Sequence, residues 1–172
     1  MTDLERRIRR VRGLALRATF FRGLARRHGA DALSMSGSLL AGGRYNPRGA
    51  FGALCLPSST RLSRAERIKH AGGDPANLAP QAMGTVAVRL RRVLDLTRLS
   101  VLRKLGLRVA ELTRPSDMSL PRRIAAAARA AGFEAILYPP ALAEPGRNLA
   151  VFLDKLPTGS RIRLLGLHTE RG

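Results

Sequence analysis

Apolar positions recur along this chain with two different periods. In "GTVAVRLRRVLDLT" (84–97), Val86, Val88 and Leu90 fall two apart, as in a strand with one buried face. "ATFFRG" (18–23), "AFGALCLP" (50–57), "AILYP" (135–139), "NLAVFLD" (148–154) and "RIRLLGLHT" (161–169) read as shorter strands. Elsewhere the spacing is helical. Leu4, Ile8, Val11 and Leu14 lie three and four apart and predict a basic amphipathic helix over 2–18. Such a helix suits an anionic surface, but docking onto its own domain is the commoner use.

"SSTRLSRAERIKHAGG" (58–73) opens on Ser and Thr and closes on a Gly pair, the start and stop signals of a helix of about three turns. Residues 97–106 predict a short helix ending near Gly106. "SLPRRIAAAARAAG" (119–132) predicts another, with Pro121 in its first turn and Gly132 as its stop. Residues 24–50 hold no sustained period and read as loop. This mixture predicts a compact α+β domain with a mixed, largely antiparallel sheet, not a regular βαβ wheel. We divide the chain into an N-terminal basic helical segment (1–19), a central domain (20–157) and a C-terminal strand and tail (158–172) of that same domain.

Composition sharpens this picture in two ways. The chain has 172 residues, 45% of them hydrophobic, enough for a real core, yet only 4% are aromatic, so that core is aliphatic. Its formal net charge is +19, with 28 arginines and three lysines, a field that attracts phosphates and acidic partners. The charge alone also suits a basic RNA- or DNA-binding module. Few rings are available for base stacking, however, and the arginines form no dense tract. Cys55 is the single cysteine, so no internal disulfide is expected. No apolar run approaches the roughly 20 residues that span a bilayer, and residues 1–23 lack a secretory pattern. A cytoplasmic setting is expected.

The chemical signals are sparse. There is no P-loop, GxGxxG or GxSxG, and His28, His70 and His168 have no ligand-like spacing, so no metal is expected. Two features remain. One is Arg44-Tyr45-Asn46 inside a Gly- and Pro-rich loop, a cation, a ring and an amide on a support that could approach a ligand closely. The other is Glu66, one helix later, for which pairing with Lys69 or His70 along the helix is the ordinary alternative.

Taken in order, "FFRG", "GGRYNPRGAFGALCLPSS", "SRAERIKHAGG", "RVLDLT" and "AAGFEAILYPP…GRNLAVF" resemble the RES-domain family from about Phe20 to Asp154. The resemblance implies an ADP-ribosyltransferase-like fold. It also implies a toxin of a toxin–antitoxin pair that degrades NAD by hydrolysis or phosphorolysis. NAD is then substrate, phosphate a possible co-substrate, no cofactor is expected, and the partner is an Xre-type antitoxin that blocks the active site. Carried over by position, Glu66 and Arg44 are the catalytic pair, and Arg22, Tyr45, Asn46 and Asn148 bind substrate. Glu66 would stabilise the oxocarbenium-like ribose, Arg22 and Arg44 would hold the pyrophosphate, Tyr45 would stack on nicotinamide or ribose, and the two asparagines would orient polar groups. Two positions depart from the family pattern. Cys55 stands where tyrosine is frequent, and Pro140 replaces a serine, with Tyr138 two residues earlier. Alternatives are a catalytically weakened relative that only binds its antitoxin, a nucleic-acid-binding module, and transfer of ADP-ribose to a macromolecule.

Overall fold

The computed structural model describes residues 1–169 of the chain. Six strands form one sheet: β1 (Leu14–Ala25), β2 (Leu54–Pro57), β3 (Gln81–Asp95), β4 (Ala135–Tyr138), β5 (Asn148–Val151) and β6 (Arg161–Thr169). Six helices accompany them: α1 (Asp3–Arg9), α2 (Ser36–Ala41), α3 (Thr60–His70), α4 (Leu99–Leu105), α5 (Val109–Leu112) and α6 (Ser119–Ala130). The strand order is β1-β3-β4-β5-β2, with β6 also on β3. Only the β3–β4 pair is parallel, so the sheet is mixed and largely antiparallel, as the sequence predicts.

Strand β3 organises the molecule. One edge pairs with β1 from Gln81 to Val93, while the other serves β6 up to Arg89 and β4 from Val93 onward. The gap between those two partners would leave a backbone donor unpaired. The buried Glu134 fills it, its carboxylate accepting the Arg91 N–H at 3.2 Å. Strand alternation then sorts the core. Leu54, Leu56, Leu137 and Leu149 face Phe20, Val86 and Val88 on one side of the sheet. Ile136, Ala150 and Phe152 face the helical layer on the other, with Ile124, Leu102 and Ile8.

The expected N-terminal helix is shorter than its period suggests. It ends at Arg9, and Leu14 and Leu16 already belong to β1, paired with Val93 and Leu90. Beyond the helix the chain passes close to β3 at Gly13, where a Cβ would lie 2.4 Å from Arg92 Cγ and 3.1 Å from its Cα. Ile8 is fully buried, and α1 packs on α6. The loop expected over 24–50 contains a 3-10 turn and α2, and the strand expected from residue 50 starts at Leu54. The strand expected over 148–154 stops at Val151. The predicted C-terminal strand is β6; tail residues 170–172 lie outside the described residues.

Candidate functional site

Helix α3 is fixed against β1 by a close approach at Gly23. A Cβ on Gly23 would lie 2.6 Å from Ser63 Oγ and 2.8 Å from Arg67 Cδ. Both residues use the space. The Gly23 N–H donates to Ser63 Oγ at 2.9 Å, and Arg67 Nη1 donates to the Gly23 carbonyl at 3.2 Å. Ser59 caps the start of the helix by accepting from the Leu62 N–H. These contacts set the rotation of α3, and Glu66 follows from it.

Glu66 meets Asn148, the first residue of β5. Asn148 Nδ2 donates to Glu66 Oε1 at 2.6 Å, a short bond suited to an ionised acceptor. Burial nonetheless pushes the Glu66 pKa up, while the Asn148 bond and the nearby charges of Lys69 and Arg44 pull it down. Pairing with Lys69 along the helix, the ordinary alternative, is not what forms: Lys69 Nζ donates to the Ala141 carbonyl, and no ion pair among the described residues uses Glu66. Asn148 is itself buried, and its Oδ1 has no hydrogen-bond partner among the described residues.

Register supplies the neighbours. Asn148 pairs with Tyr138 of β4 on one side and Pro57 of β2 on the other. Cys55 shares that sheet face, and its thiol and the Tyr138 hydroxyl share a hydrogen bond. Burial raises the pKa of both groups, and the charge of Glu66 adds to that rise. The hydroxyl near Glu66 is therefore that of Tyr138, with Pro140 just beyond the end of β4. The motif signal did not reveal this; the two-residue spacing from Pro140 was its only trace.

Arg22 leaves β1 on the same face as Phe20 and Leu24 and donates through Nη1 to the Cys55 carbonyl at 3.1 Å. Burial lowers its pKa, and its Nε is buried with no hydrogen-bond partner among the described residues. Arg44 is half-buried and donates through Nη1 to the carbonyls of Leu112 and Arg114, both at 3.0 Å. Arg122 of α6 holds the same loop by donating to the Gly43 carbonyl. The structure thus brings Glu66, Asn148 and the charge of Arg44 together, with Arg22 joined through Cys55.

Two of the residues expected to bind ligand are buried in this structure. Tyr45 is 1% exposed, its ring 4.2 Å from that of Tyr138, so it is part of the core and offers no surface for stacking. Asn46 is equally buried, and its amide donates to the carbonyls of Ser38 and Phe51. Both residues shape the loop that carries Arg44. The Asp95 of "LDLT" also has a structural task, accepting from the Thr97 N–H and hydroxyl in the turn after β3. Among the described residues no group of three or more His, Cys, Asp or Glu could hold a metal ion, and no helix is long and apolar enough to cross a membrane.

The RES domain family model matches residues 17–170. Over 118 residues the chain is 36% identical to a probable NAD(+) phosphorylase of Mycobacterium tuberculosis, covering 67% of this chain and 55% of that protein. The chain therefore spans about half the length of the curated relative it matches. A chain in the crystal structure of the M. tuberculosis MbcT–MbcA toxin–antitoxin complex matches with a TM-score of 0.83 at 24% identity, covering 97% of this chain and 91% of that one. That likeness shows the fold.

Proposed function

The chain belongs to the RES domain family, and from that premise we propose that it is the toxin of a toxin–antitoxin pair and cleaves the nicotinamide–ribose bond of NAD. The observation that carries this reading is the Glu66 carboxylate, held by Asn148 at 2.6 Å and within the field of Arg44. As the bond breaks, its electron pair passes to the nicotinamide nitrogen, and positive charge develops on the ribose ring. An ionised carboxylate beside that ring lowers the barrier. Water or phosphate then forms the new bond to the ribose carbon, giving ADP-ribose or its phosphate ester, and water gives up a proton as it does so.

The remaining residues take supporting parts. Arg44 uses one nitrogen to anchor itself and keeps its other N–H groups for the pyrophosphate; the unpartnered Nε of Arg22 suits the same anion. The free Oδ1 of Asn148 can accept from a ribose hydroxyl. Tyr138 supplies a hydroxyl where the family serine is Pro140. The partner in this reading is an Xre-type antitoxin whose terminal segment covers the site, and the setting is the cytoplasm, where NAD is abundant. The relative named as an NAD(+) phosphorylase favours phosphate as acceptor.

The test is NAD consumption by the purified protein beside Glu66→Gln, with and without phosphate, reading nicotinamide and both ADP-ribosyl products. Turnover is expected in the wild type and a loss of at least roughly 100-fold in the variant. Intact NAD under both conditions overturns the proposal.

A further inference from the structure

The outer face of the β1–β3–β6 region carries a cationic feature with no part in the site above. Arg17 of β1 lies opposite Arg89 of β3, and Arg89 lies opposite Arg161 of β6, so three guanidinium side chains stand abreast. With neighbouring strands about 4.8 Å apart, this row is roughly 10 Å long. The next row on that face is Thr19, Ala87 and Arg163. Ala87 is the small residue between larger neighbours, and the result is a hollow of about 430 Å³ lined by these six residues together with Ala18 and Val88. Alternation sends Leu16, Phe20 and Leu90 to the opposite, buried face, and Arg22 leaves β1 on that same opposite side.

Like charges directly opposite one another in a sheet disfavour the pairing. A single carboxylate in the row would relieve this, as Glu144 does for Arg61 elsewhere on the surface. Among the described residues, none of Arg17, Arg89, Arg161 and Arg163 forms an ion pair. Arg91, which donates to the Thr158 carbonyl, continues the positive charge along β3. The shape of the hollow narrows the counter-ion. No aromatic ring lines it, so nucleic-acid bases have nothing to stack on. Its volume is that of a small-molecule site. Four guanidiniums in so short a space exceed what one orthophosphate can engage, whereas a condensed phosphate chain offers several anionic oxygens along its length.

We propose that this hollow binds a condensed phosphate chain, either an inorganic triphosphate or the triphosphate of a nucleotide. This inference does not rest on the NAD reading, because none of the residues lining the hollow belongs to the Glu66 site.

Titration calorimetry at low ionic strength with inorganic triphosphate, ATP and orthophosphate tests it on the wild type, Arg89→Gln, Arg161→Gln and the double variant. Arg103→Gln, an exposed arginine on α4, serves as the control. One saturable site is expected, weakened roughly tenfold or more by each single change, abolished in the double variant and unaltered in the control. Binding of both probes assigns the phosphate chain itself; binding of one alone assigns that source. NAD turnover of the double variant is expected to match the wild type, and its melting temperature without ligand to be no lower, since two opposed like charges are gone. The proposal is overturned by the absence of saturable binding, by binding that survives the double change, by orthophosphate binding as tightly as triphosphate, or by a DNA duplex that triphosphate does not displace.

Discussion

Asn148 donates to Glu66 Oε1 at 2.6 Å across 82 positions of sequence, joining the start of β5 to the middle of α3. This bond favours the ionised carboxylate, whereas burial favours the neutral acid. Removing it in Asn148→Ala leaves burial less opposed, so the Glu66 pKa rises further. If the carboxylate must be ionised for catalysis, the acid limb of the pH profile of kcat/KM moves to higher pH in the variant. A limb that stays in place would show that Glu66 titration does not govern turnover.

Glu66 also links activity to stability with a definite sign. Its folded pKa lies above the unfolded value, so its favourable contribution is complete below the unfolded pKa of about 4.3. That contribution is lost as pH rises through the folded pKa. Glu66→Gln does not titrate and keeps an oxygen for Asn148. It is therefore expected to be more stable than the wild type at neutral pH by about 1 kcal/mol, or roughly 2–4 °C in Tm, with the difference vanishing toward pH 4. Thermal melts across that range check it, and a less stable variant at neutral pH contradicts it.

Tyr45 separates a structural ring from a ligand-binding one. Its hydroxyl is buried with no hydrogen-bond partner among the described residues. Tyr45→Phe removes that unsatisfied group and is expected to leave stability unchanged or improved, with KM for NAD unaltered. Tyr45→Ala leaves a cavity beneath Tyr138 and should cost about 3–5 kcal/mol in denaturant unfolding. A raised KM in the Phe variant would instead place the phenol against substrate.

Gly23 is the lever for the position of α3. The methyl of Gly23→Ala meets Ser63 Oγ and Arg67 Cδ at under 3 Å, so either those side chains give up their bonds to Gly23 or the helix shifts outward and takes Glu66 with it. The stability loss is expected to be modest, about 1–3 kcal/mol. Activity should suffer more, by roughly 100-fold in kcat/KM, since displacements near 1 Å are enough for that. Equal activity in a folded variant would mean that the helix position is not limiting.

These residues also mark what the sequence could and could not convey. Period-two spacing identified β3, and Ser59 with the Gly72–Gly73 pair bounded α3, because strand faces and helix caps are local physics. Leu14 fitted a helical spacing with Leu4 and Ile8, yet it lies in β1, because the pairing with Val93 is a long-range contact that period alone does not reveal. Glu66 and Asn148 were both legible as candidates through family motifs, and their contact is what the fold adds. Tyr45 and Asn46 sit in a Gly-rich loop that reads as exposed; the loop instead folds under Tyr138 and α2, burying both.

Strand β3 has a mechanical consequence. Since β6 and β4 grip successive stretches of one of its edges while β1 holds the other, neither half of the sheet can melt without unzipping the same backbone. The protein should lose structure in a single calorimetric transition, and the amides of β3 should be the last to surrender their protons to heavy water.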